Sequence, residues 1–159
     1  MADQVVLLRD GRVEQDAPPA ELYARPATAF AARFIGTPPM NLVRLTSGPH
    51  GAVVHGTDGP AVLERPGAGL LLGVRPEDVR LVDSGGLAAR VTALEYLGAD
   101  SIVTCAVGTE SMAVRAPGRV ELAEGKPVHL AWWPAAQHVF DAESGFAHAR
   151  MTRTGGEST

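Results

Sequence analysis

The chain has 159 residues, 45% hydrophobic and 20% charged, with a formal net charge of −4. That balance suits one folded domain or two small ones and excludes a disordered or fibrous chain. The acidic balance and the single lysine, Lys126, leave no electrostatic footprint for nucleic acid or an anionic membrane surface, and no apolar stretch reaches the roughly 20 residues of a bilayer span. The start, Met1-Ala2-Asp3-Gln4, lacks the basic and apolar regions of a signal peptide. Cys105 is the single cysteine, so no intrachain disulfide can form, which suits a reducing cytoplasm.

Residues 3–16 read as a β-hairpin. Val5, Val6, Leu7 and Leu8 form a continuous apolar run, the pattern of a strand buried on both faces. Asp10-Gly11 is a strong two-residue turn signal, and Val13 opens the return strand. Two short helices come next. Pro19 suits a first helical position, Ala20 to Ala24 form the first helix, and Pro26 ends it. Ala27 to Ile35 form the second, with Phe30 and Phe34, and Ala31 and Ile35, spaced to give one apolar face. Gly36 stops it, and Thr37-Pro38-Pro39 marks a stiff, extended boundary.

From Asn41 onward the pattern becomes one of short strands: 41–46, 52–55, 61–64, 70–75, 78–82, 87–96, 101–107, 111–116, 127–133 and 138–141. Leu87, Ala89 and Val91 alternate with Ala88, Arg90 and Thr92. Val103, Cys105 and Val107 share one face, as do Val128, Leu130 and Trp132. Leu97-Gly98-Ala99-Asp100 and Gly108-Thr109-Glu110 are turns between adjacent strands. Many short strands separated by regular turns predict a sandwich or small barrel. The tail after Arg150, rich in Thr, Gly, Ser and Glu, is expected to be disordered.

Catalytic chemistry is absent from the pattern. There is no G-x-x-x-x-G-K-[ST] or G-x-G-x-x-G loop and no G-x-S-x-G elbow. His50, His55, His129, His138 and His148 lack metal-ligand spacing or a cysteine partner. Cys105, in mid-strand, reads as buried and inert. No catalytic, cofactor-binding or metal residue is therefore assigned. Two features stand out. Trp132 and Trp133 are adjacent in a strand, so one belongs in the core and the other on a surface, a candidate interface. Arg75 and Glu77, in Gly73-Val74-Arg75-Pro76-Glu77-Asp78, either tie down a corner between strands or let Arg75 contact a small anion or sugar.

Residues 2–15, Ala2-Asp3-Gln4-Val5-Val6-Leu7-Leu8-Arg9-Asp10-Gly11-Arg12-Val13-Glu14-Gln15, resemble the stretch after the switch histidine of ABC ATPases. Pro19-Ala20-Glu21-Leu22-Tyr23-Ala24-Arg25-Pro26-Ala27 resembles the adjoining segment of those proteins. Phe34-Ile35-Gly36-Thr37-Pro38-Pro39-Met40-Asn41 resembles a junction in the ATPase subunits of maltose-type and glycerol-3-phosphate-type carbohydrate importers. Gly73-Val74-Arg75-Pro76-Glu77, Leu94-Glu95-Tyr96-Leu97-Gly98-Ala99-Asp100 and Val139-Phe140-Asp141-Ala142-Glu143-Ser144-Gly145 resemble their transport-associated OB (TOBE) region. Pro18 departs from the usual Thr or Ser cap, whose loss typically costs about 1 kcal/mol. The family's Walker loops, signature loop and switch histidine have no counterpart here.

The resemblance implies a mainly β fold. An OB-type β-barrel (TOBE) domain over 37–150 succeeds a hairpin and two short helices over 1–36, the remnant of an α/β nucleotide-binding domain. Residues 151–159 form the tail. It further implies a non-catalytic regulatory and dimerisation module, a homodimer that meets membrane permease subunits through the full-length parent, at the cytoplasmic face of the cell membrane. ATP and Mg²⁺ belong to that parent alone. Direct membrane insertion and nucleic-acid binding are not expected. The alternative is a small-ligand domain sensing a sugar or oxyanion.

Overall fold

The computed structural model describes residues 5–148, so the readings made for Met1–Gln4 and for the tail lie outside the described residues. The chain begins with an antiparallel hairpin of β1 (Val5–Arg9) and β2 (Arg12–Ala17). Its turn residues Asp10 and Gly11 have φ of 52° and 76°, the left-handed pair that an Asp-Gly turn supplies. The apolar run is not buried on both faces. Leu7 is buried, whereas Val6, Leu8 and Val13 are 50%, 58% and 62% exposed. The sheet is only two strands wide, and β2 packs against a helix.

That helix is α1 (Pro19–Ala24), with Leu22 fully buried. Pro18 stands at its N-cap and offers no side-chain bond, but its carbonyl accepts from the amides of Glu21 at 3.0 Å and Leu22 at 3.1 Å. Helix α2 (Ala29–Phe34) starts later than expected because Thr28 caps it, its Oγ1 accepting from the Ala31 amide at 3.1 Å. Its buried face is shifted from the expected one: Ala31 is buried as expected, Ala32 is buried beside it, and Phe34 is exposed. Small side chains let the helix backbone approach the β-domain closely, and Ala32 packs with Met40 and Phe140 there.

The remaining strands are β3 (Asn41–Gly48), β4 (Gly51–Val54), β5 (Leu70–Val74), β6 (Arg80–Val82), β7 (Leu87–Tyr96), β8 (Asp100–Val107), β9 (Glu110–Pro117), β10 (Pro127–Ala131) and β11 (His138–Asp141). They form a four-stranded sheet in the order β11-β5-β3-β4 and a five-stranded sheet in the order β6-β10-β7-β8-β9. The fold is mainly β, as the sequence implies, but the sheets are not closed into a barrel. The stretch 61–64 contributes only a bridge from Leu63 to Ala52. The stretch 78–82 begins as a 3-10 turn, Pro76–Asp78, before β6.

One core lies between the sheets. Val43, Leu45, Val54, Leu72 and Val74 come from the four-stranded sheet; Leu87, Val91, Val103, Cys105, Val107, Met112, Val114 and Leu130 come from the other. The alternation of β8 places Val103, Cys105 and Val107 on the core face. In β7 the pairing with β8 skips Thr92 between Val91 and Ala93, and the Thr92 hydroxyl donates to the Thr104 carbonyl at 3.1 Å across this bulge.

Side chains join the sheets where strands do not. The Asn41 amide donates to the Ala113 carbonyl at 2.8 Å and accepts from the Ala113 N–H at 2.7 Å, so one side chain takes the place of a neighbouring strand on the edge of β9. Glu110 accepts from the Arg44 N–H at 2.7 Å and from its guanidinium at 3.1 and 3.3 Å. Burial alone would raise the pKa of Glu110, but these bonds and one from Thr109 outweigh it and hold the carboxyl below its usual range. Gly56 and Gly108 bring two loops together backbone to backbone: a Cβ on Gly108 would lie 2.6 Å from the His55 carbonyl oxygen. Replacing Asn41 with Ala strands the N–H and C=O of Ala113. The expected loss is about 2–4 kcal/mol, read as a lowered urea midpoint at unchanged slope. A loss below about 0.5 kcal/mol would show that the edge needs no such cover.

Candidate functional site

Arg75 sits where β5 ends, and the following Pro76 holds it in extended backbone, with φ −66° and ψ 141°. Its side chain turns inward and the residue is only 2% exposed. One guanidinium nitrogen, Nη1, donates to the carbonyls of Ile35 at 2.5 Å and Ala32 at 3.2 Å; the other, Nη2, donates to Tyr23 at 2.9 Å. The plane lies over the Tyr23 ring, 4.1 Å from its centroid. These carbonyls belong to the last turns of α1 and α2 and to the residue that closes α2. Helix C-termini present unpaired carbonyls and negative partial charge, which a cation satisfies.

The two sequence candidates at this corner part company. Glu77 is exposed on the 3-10 turn and makes no hydrogen bond or ion pair with Arg75. Burial lowers the pKa of Arg75, and the Asp78 carboxylate opposes that shift. Its Nε is buried without a partner among the described residues. Gly36 is fitted to this arrangement, since a Cβ there would lie 3.1 Å from Nη1 and its φ is 110°. The guanidinium is bonded to carbonyls inside the protein and turned away from solvent.

The tryptophans divide between core and surface as expected, but not within a strand: β10 ends at Ala131, and both lie on the extended stretch between it and the next 3-10 turn. Trp132 is half-buried and packs on the core between the sheets. Trp133 is 67% exposed, with the Arg80 guanidinium 4.9 Å from its ring centroid. It leads into the 3-10 turn Pro134–Ala136. An exposed indole beside an arginine has the composition of an interface anchor.

Sequence reasoning missed a cleft of about 280 Å³ lined by Arg9, Phe30, Arg33, Leu42, Leu71 and Ser144 among others. Its walls come from the hairpin, α2, the four-stranded sheet and the turn after β11, segments too far apart in sequence to suggest a common site. Arg9 is engaged within it, 3.7 Å from Glu14 and stacked over Phe30 at 5.1 Å. Among the described residues no group of His, Cys, Asp or Glu could hold a metal ion, and no helix is long and apolar enough to cross a membrane.

Comparison with known proteins runs along the same lines. Residues 72–140 match the TOBE domain family. The chain is 37% identical over 152 residues to the sn-glycerol-3-phosphate import ATP-binding protein UgpC of Yersinia pestis bv. Antiqua (strain Antiqua), covering 91% of this chain and 43% of that protein. The protein of the same name from Cereibacter sphaeroides is 40% identical over 149 residues, covering 91% of this chain and 42% of the relative. That from Rhizobium meliloti (strain 1021) is 40% identical over 151 residues, covering 89% and 41%. The chain thus spans about two-fifths of the length of these curated relatives.

Cys105 is fully buried in β8, and burial pushes its thiol up to about 11. At pH 8 the thiolate is then about a thousandth of the total. Ellman's reagent should therefore modify Cys105 at once in denaturant but, in the native protein, only as fast as the fold opens. Rapid modification of the native chain would contradict this placement.

Proposed function

We propose that this chain, which is related to the C-terminal part of the ATP-binding subunit of carbohydrate-type ABC importers and carries its TOBE domain, is the regulatory and dimer-contact module of such a subunit. One observation carries the reading: the similarity to importer ATP-binding proteins runs through 91% of the chain and so extends well beyond the TOBE match at residues 72–140. ATP hydrolysis is assigned to the longer parent, because the sequence has no phosphate-cradling loop of its own. Permease subunits are the parent's partners, at the cytoplasmic face of the membrane. The relatives are named for sn-glycerol-3-phosphate import, which makes a polyol phosphate or sugar the fitting class of transported solute.

Importer ATPase subunits of the type this chain resembles work as two-fold pairs, and a two-fold contact is the commonest solution for an oligomer. Trp133 with Arg80 is the contact we assign to the second copy, since Trp132 is committed to the core. We keep the ligand-sensing domain as the second reading; Arg75, buried and bonded to helix carbonyls, gives it no support.

Sedimentation should find a dimer of the 159-residue chain, with no ATP turnover above background. Trp133→Ala should weaken the dimer by about tenfold or more while shifting stability by no more than about 0.5 kcal/mol. A wild-type chain that stays monomeric would contradict the reading, and a dimer indifferent to the substitution would move the contact away from Trp133.

A further inference from the structure

The junction between the helices and the β-domain is bound at several points. The Ala29 amide donates to the Gly145 carbonyl and the Ala147 amide to that of Ala27, both at 2.8 Å, which fastens the start of α2 to the turn after β11. Arg115 Nη1 donates to the Thr37 carbonyl at 2.8 Å, which fastens the linker to β9. The ends of the helices are held differently. Arg75 reaches both α1, through Tyr23, and α2, through Ala32 and Ile35, across 40 to 52 residues of sequence. A planar fork with donors on both outer nitrogens can bind two helix ends at once; a single ammonium cannot hold that geometry.

We propose that Arg75 is the mechanical joint of the module. It makes α1, α2 and the β-domain one rigid body, so that a displacement of the helices is carried into β5 and the Pro76–Asp78 turn instead of being absorbed at the Gly36–Pro39 linker. The helices are six residues each, too short to stand alone in water, so their order depends on such an anchor. The core of the β-domain lies elsewhere, between the two sheets, and does not depend on it. Use of the joint in regulation rests on the function proposed above, but the joint itself does not. A chain that proved monomeric would remove that function and leave the effect of Arg75 on helix protection unchanged.

The test is amide hydrogen exchange on the full chain and its Arg75→Met variant, which keeps an apolar stem and loses the fork. The amides of Leu22, Arg25 and Ile35, bonded within or at the ends of the helices, should lose protection by about tenfold or more, while those of Val103 and Val114 should stay within about threefold of wild type. Unchanged protection in the helices, or an equal fall in both regions, would overturn the proposal. Should Arg75→Met fail to fold, Arg75→Lys and Tyr23→Leu decide the matter by the same comparison. Each must lower protection selectively at Leu22 and Arg25, and a uniform fall or no change in both would overturn it.

Discussion

A guanidinium taken out of water loses several kcal/mol of hydration, and among the described residues no carboxylate is bonded to that of Arg75 in return. Arg75 is instead compensated by three carbonyls at the ends of two short helices and by the face of a tyrosine ring. The dependence is mutual. Helix ends that cannot be solvated need donors, and a buried arginine needs acceptors. Neither α1 nor α2 has enough turns to hold itself, and neither has a basic group in its final turn that could replace Arg75 at the buried carbonyls; Arg33, the one basic residue there, faces solvent. The neighbouring choices stem from this one contact. Ala31 and Ala32 keep α2 close, Gly36 leaves room for Nη1, and Pro76 sets the backbone from which the side chain turns inward.

The same device recurs between the sheets. Two open sheets face each other over one apolar core, and polar side chains bridge the places where a barrel would have continuous strands. Asn41 imitates a peptide unit against Ala113, and Glu110 gathers both the backbone and the side chain of Arg44. Asn41 also lies just beyond Met40, which packs with Ala32 and Phe140 at the helix junction. The bridging of the sheets and the attachment of the helices therefore meet within two consecutive residues.

Much of this was legible in the sequence where the signal is local. Asp10-Gly11 marked the hairpin, the alternation of β8 and β10 marked their core faces, and one tryptophan of the adjacent pair was due in the core, although both lie just past the end of β10. The failures lie where tertiary contacts decide. The Val5–Leu8 run looked buried on both faces because composition alone cannot tell how many layers will cover a strand. Phe30, Ala31, Phe34 and Ile35 looked like the apolar face of α2, yet close packing against the β-domain buries Ala31 with Ala32 and leaves Phe34 exposed. The stretch 61–64 has strand-like residues but only a single bridge to join. At the candidate site, Pro76 made the extended backbone of Arg75 readable, whereas its acceptors, 40 to 52 residues earlier, carry no pattern that periodicity could reveal.

The helical segment is fastened to the β-domain at the helix ends, at the start of α2 and at the linker, so residues 17–36 and the β-domain should unfold together. Differential scanning calorimetry on the intact chain measures this directly. A chain built this way should show one transition whose calorimetric and van't Hoff enthalpies agree. Two resolved transitions, or a calorimetric enthalpy well above the van't Hoff value, would contradict it.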